Sequence, residues 1–160
     1  MKVFEIENLI KACDFYAACQ TEKSEMFLVL DRILQVRNQK RRFNAKEWAF
    51  QANTGFESAS LYEMCVQMTL EDKLAELSIV LFSLAHKYQM NMESLKLGKT
   101  DAKTVFLDDL LMSMVKIEMS HYKVYKKIII LIGMLCDYCL SNNIELKWFI
   151  EQRIAYAYNV

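Results

Sequence analysis

The sequence predicts an all-α protein, a single helical bundle of five to seven helices over residues 1–160. Three observations predict it. The chain has no proline and only three glycines among 160 residues, so helix breakers are almost missing. Leu70, Leu74, Leu77, Leu81, Leu84 and Tyr88 recur at alternating steps of four and three, one apolar stripe on a helix. Hydrophobic residues make up 54%, enough to fill a core and to bury a face against a partner. Ile79, Val80, Phe82 and Ala85 widen the stripe until its second half is apolar on nearly every side. Such a helix belongs inside a bundle. Its first turns nevertheless carry Glu71, Asp72, Lys73 and Glu76, which are either a solvated end or a site.

The remaining elements follow in chain order. Residues 3–20 form an amphipathic helix with Phe4, Leu9, Ile10, Cys13 and Ala17 inward. Thr21 or Ser24 caps a second helix running to about Arg41, with Phe27, Leu30, Ile33, Leu34 and Val36 as its apolar positions. Arg37, Lys40, Arg41 and Arg42 make a basic cluster that reads as a solvated helix end. A short helix over 45–52, a loop at 53–58 and a stretch from Leu61 to Gln67 lead into the helix at 70–88. Gly98 suits the cap of a turn at 92–97. The next helix starts at Asp101 or Thr104 and runs to about His121. Another covers 123–142 and breaks at Asn142 and Asn143, and the last runs from Glu145. HKYQMNMESL and LSNNIELKWF echo one another, each a polar break after a long apolar helix.

Charge and composition exclude several classes. Twenty basic and twenty acidic residues cancel, so no global pull toward nucleic acid or membrane exists. The longest apolar run, KKIIILIGMLCDYCL, is too short to span and is interrupted by Asp137. The acids in MKVFEIENLI are unlike a signal peptide, and a cytoplasmic protein is expected. Five cysteines in apolar stretches read as free core thiols, Cys136 and Cys139 included. His86 and His121 read as helix-end or core histidines. Trp48, Trp148, Phe149, Tyr156 and Tyr158 read as core or dimer face, with base stacking as the alternative.

Three segments carry a resemblance. Thr69–Glu93 (TLEDKLAELSIVLFSLAHKYQMNME), Asn143–Tyr156 (NIELKWFIEQRIAY) and Leu28–Arg41 (LVLDRILQVRNQKR) are similar to segments of the all-α nucleoside triphosphate pyrophosphohydrolases. These are the MazG-like and dimeric-dUTPase-like group. The resemblance implies that fold, a dimer or higher homo-oligomer, and a magnesium site. In the family, carboxylates in ExxE and ExxD patterns on two helices hold Mg²⁺, which activates water to cleave between the α- and β-phosphates.

This chain departs from that pattern. The family ligand positions fall on Arg32, Gln35, Lys73 and Glu76, with a further acid position on Asn38. Only Glu76 is acidic. Cations at Arg32 and Lys73 repel Mg²⁺ and can meet phosphate directly. The family's tyrosine–asparagine pair reads Tyr156–Ala157. The expectation is therefore a homologue with a degraded metal site that binds a nucleotide or a protein partner without hydrolysis and needs no cofactor. Arg32, Lys73, Glu76, Asn38 and Tyr156 are its ligand-binding candidates. One alternative is an active Mg²⁺-dependent enzyme with a shifted site of Asp72 and Glu76, aided by Asp108, Asp109 or Glu118. Another is a helical interaction module.

Overall fold

In a computed structural model the protein is described over residues 22–38, 59–92 and 106–158, together with residues 8 and 95. All but one residue of the expected helix over 3–20 lie outside these. So do the cluster at Lys40–Arg42, the segment 45–58 with Trp48, Gly98 and the expected helix start at Asp101 or Thr104.

Six helices make up the described residues: α1 (Glu22–Arg37), α2 (Ala59–Cys65), α3 (Leu70–Lys87), α4 (Leu107–Glu118), α5 (Val124–Ser141) and α6 (Leu146–Tyr158). No strand occurs among them, and none of the helices is long and apolar enough to cross a membrane. Helix α3 packs against α1 and α5, and α4 packs against the same two, which closes a ring of four. Helix α6 then docks on α3 from outside the ring. The double coverage explains the composition of α3. One face looks into the bundle and another meets α6, so an apolar stripe alone would not suffice. Leu74, Leu77, Leu81 and Phe82 are fully buried. Each contributes roughly 1.5–3 kcal/mol through its removal from water.

The ends of α3 are built locally. Thr69 caps its start: the Thr69 hydroxyl accepts from the Asp72 amide at 3.2 Å and donates to the Val66 carbonyl at 2.7 Å. At its other end Gln89 takes φ 48°, and the Met90 amide reaches back to the Ala85 carbonyl at 2.9 Å. Helix α5 stops the same way, with Asn143 at φ 54° and the Ile144 amide on the Cys139 carbonyl at 2.8 Å. Both are left-handed closures of the Schellman type. The echo between the two sequence segments is thus one helix stop built twice, without glycine.

Two expectations change. The face of α1 turns further than the pattern implied: Val29, Ile33 and Val36 are buried, while Phe27 and Leu34 are exposed. Alpha-helical α1 carries two overlapping apolar stripes, and packing on α3 and α4 selects one. Residues 61–67 also do not run straight into α3. Helix α2 ends at Cys65, and Met68 adopts φ 64°, so the chain turns back before α3 begins. Glu25 fixes the register between α1 and α3. Its carboxylate takes the Lys87 ammonium and, at 2.8 Å, the Tyr88 hydroxyl. With Arg32 near Glu76, this makes α1 antiparallel to α3.

Candidate functional site

The charges at the start of α3 are not a solvated end. Glu71, Asp72, Lys73 and Glu76 are all buried, and Asp72 has no exposed area. Burial follows from position: this turn lies under α1, α2 and α6, so its polar groups must find partners inside the protein.

Asp72 is held from three directions. The Tyr62 hydroxyl of α2 donates to its Oδ1. The Met68 amide donates to Oδ2 at 3.0 Å, an approach that the left-handed Met68 makes possible. The Arg153 guanidinium of α6 reaches Oδ1 at 3.3 Å. Burial, and then the Asp72 carboxylate, push the Tyr62 hydroxyl well above its ordinary value, so it stays a proton donor.

Glu76 collects three cations. Lys73 Nζ lies 2.9 Å and Arg32 Nη1 3.5 Å from Oε2, and Arg153 Nη2 lies 2.6 Å from Oε1. Arg153 therefore bridges the two acids. Burial works to lower its guanidinium, but the Asp72 and Glu76 carboxylates outweigh that and raise it. Three positive side chains face these two buried carboxylates, and Asp31, at the exposed edge, lies 4.0 Å from Arg32 Nη1 as a third. Arg32 is 31% exposed and Arg153 22%, so both guanidinium groups reach solvent at the edge of the network. Gln35 supports Arg32, accepting from its Nη1 at 2.8 Å and donating to Asp31 at 2.7 Å.

Of the residues singled out in the sequence, the structure gathers Arg32, Gln35, Lys73, Asp72 and Glu76 into one network. Tyr156 stands beside it. Its ring stacks on Tyr62 at 4.5 Å, its hydroxyl donates to Glu63 at 2.9 Å, and Arg153 lies 5.6 Å from the ring. Asn38 is exposed past the end of α1, where its backbone amide donates to the Gln35 carbonyl at 3.3 Å. Asp108 and Asp109 are exposed first-turn acids of α4, and Glu118 closes that helix. Among the described residues no three acidic, histidine or cysteine side chains assemble into a metal-holding group.

Arg153 and Tyr62 escaped the sequence reading. Arg153 had one signal, its place three residues before Tyr156 on a common helix face. Tyr62 had none, because its partner Asp72 lies across a turn whose direction Met68 decides.

The donor set does not fit magnesium. Both carboxylates already hold Arg153, and an incoming Mg²⁺ would meet Arg32, Lys73 and Arg153 at close range. Mg²⁺ also demands near-octahedral oxygen ligation, which two paired carboxylates do not supply.

His86 is half-buried at the end of α3, and His121 is exposed between α4 and α5. Cys65, Cys136 and Cys139 are free buried thiols. Burial, with Asp137 adding to it, pushes the Cys136 thiol up to about 12, far from a nucleophile. Trp148 and Phe149, neighbours in the first turn of α6, meet edge-on at 4.9 Å.

Comparison with protein-family models, with curated proteins and with solved structures finds no match for this chain. The resemblance of the three segments therefore rests on their own residues.

Proposed function

We propose that this chain is a non-hydrolysing homologue of the all-α nucleoside triphosphate pyrophosphohydrolases that binds the phosphate chain of a nucleotide without metal. The observation that carries this reading is the convergence of Arg32, Lys73 and Arg153 on Glu76. In the family, metal ions neutralise the phosphates. Here fixed cations take that electrostatic role. A guanidinium has five N–H donors, and the contacts above use one nitrogen of Arg32 and two of Arg153. The donors left over suit phosphate oxygens, which guanidinium groups bind in pairs. No water is activated in this reading, because both acids are committed to cations.

The test is a thermal-shift series with the common NTPs and dNTPs, each with and without Mg²⁺, and an assay of the same samples for pyrophosphate. At a hundredfold excess over Kd, binding adds about 2.7 kcal/mol, a rise of roughly 5–10 °C for a chain of this size. The rise is expected without Mg²⁺ and without product. Arg32→Gln, at the exposed edge, should reduce it while leaving the unliganded melting temperature nearly unchanged. Pyrophosphate release lost in Glu76→Gln would instead establish an enzyme with a shifted site. A second reading, a helical module that works through protein contact, is favoured by exposed Phe27 and Leu34 on α1. It predicts no shift with any nucleotide.

A further inference from the structure

The turn between α4 and α5 combines lysines with exposed apolar side chains. From Lys116 to Lys127 the chain reads KIEMSHYKVYKK, with four lysines and one acid, in a protein whose total charge is zero. Its large apolar side chains point outward: Met119 is 75% exposed, Tyr125 51%, and Tyr122 and Val124 are exposed with them. These lie around the turn that joins two packed helices, a tip at the ends of α4 and α5.

The tip is held in shape by its own contacts. The Ser120 hydroxyl donates to the Ile117 carbonyl at 2.5 Å, and Lys127 Nζ donates to the Glu118 carbonyl at 2.6 Å. Lys126 Nζ sits 4.8 Å from the centre of the Tyr122 ring. Lys127 is thereby committed to the hairpin, which leaves Lys116, Lys123 and Lys126 exposed around the apolar side chains.

We propose that this tip docks on an anionic membrane surface. Each part of it matches a layer of such a surface. Methionine and valine gain from contact with acyl chains, tyrosines favour the headgroup level, and lysines meet the negative headgroups. The alternatives fit less well. Two copies of the tip would bring like charges together. Single-stranded nucleic acid could stack on Tyr122 and Tyr125 but would leave Met119 and Val124 without a role, since neither has a stacking face. The docking is peripheral, since no described helix crosses a bilayer.

Flotation of the purified full chain with vesicles tests this. Phosphatidylcholine vesicles are compared with vesicles that also contain phosphatidylserine. The chain is expected to float only with the anionic vesicles, and less as salt is raised. Lys123→Gln and Lys126→Gln should each lower the vesicle partition constant about fivefold. Met119→Ser should lower it with the salt dependence kept. These positions are exposed, so an unchanged melting temperature certifies the fold of each variant. Equal flotation with both vesicle types, no flotation with either, or variants that float like the parent would overturn the proposal. Nucleotide binding in the preceding section stands or falls separately.

Discussion

Helices α3 and α4 begin with nearly the same words and end up in opposite surroundings. Thr69-Leu70-Glu71-Asp72 opens one, and Phe106-Leu107-Asp108-Asp109 opens the other. Each puts acids in a first turn, where the helix dipole favours them. Asp72 and Asp109 even hold the same position, three residues past the cap. Asp72 is fully buried and serves Tyr62, the Met68 amide and Arg153. Asp109 is exposed. A first-turn acid is thus two different objects, a solvated charge that trims a dipole or the keystone of a buried network. What covers the turn decides which.

Breaking the keystone should have the largest effect. Asp72→Asn keeps the shape but takes a charge from a buried pair, and is expected to cost about 3–5 kcal/mol in urea unfolding. Asp109→Asn should cost less than about 1 kcal/mol, the size of an exposed dipole interaction. Equal costs would mean that the Arg153 network contributes no more than a dipole.

The caps differ as well. Thr69→Ala removes a hydroxyl that both donates and accepts, and should lower stability by about 1 kcal/mol, read from the urea midpoint. Helix α4 has no side-chain cap at Phe106, which is itself exposed. Phe106→Ser should therefore stabilise the protein, by about 0.5–1 kcal/mol. If it destabilises, Phe106 has a packing role that its exposure hides.

The far end of α4 sharpens the comparison through pH. Burial raises the Glu118 carboxyl above its ordinary 4.5, and Lys127 offsets only part of this. Its Oε2 is buried with no hydrogen-bond partner among the described residues. A folded pKa above the unfolded one contributes stability that is full below 4.5 and is lost as pH rises through the folded value. At pH 7 the ionised group is a cost. Glu118→Gln should melt higher than the parent at pH 7, by a margin that shrinks toward pH 4. A margin independent of pH would show that the carboxylate's charge is not the cause.

Helix existence was legible because its causes are local. The stripe from Leu70 predicted the helix observed at Leu70–Lys87 within a residue. The break at Asn142 and Asn143 was visible because asparagine tolerates the left-handed backbone that ends α5. The buried face of α1 was only half legible. Of its apolar positions Ile33 and Val36 are buried but Phe27 and Leu34 are exposed, and buried Val29 was passed over. With two apolar stripes on one helix, periodicity has no means of choosing. The candidate site was legible on its near members, Arg32, Lys73 and Glu76. Arg153, which ties both acids together, arrives from α6, far along the chain.

By itself the sequence determined the helical character of the described residues, the bounds of α3, α5 and the start of α6, and the most buried helix. Those follow from periodicity, from the near absence of breakers and from capping groups within a few residues of each end. Only the tertiary structure decided that the charges opening α3 are buried, that Asp72 and Glu76 share Arg153, and that the apolar side chains at the α4–α5 turn are exposed. A charge's role depends on which distant helix covers it and on the water left around it, and neither is written in its neighbours along the chain.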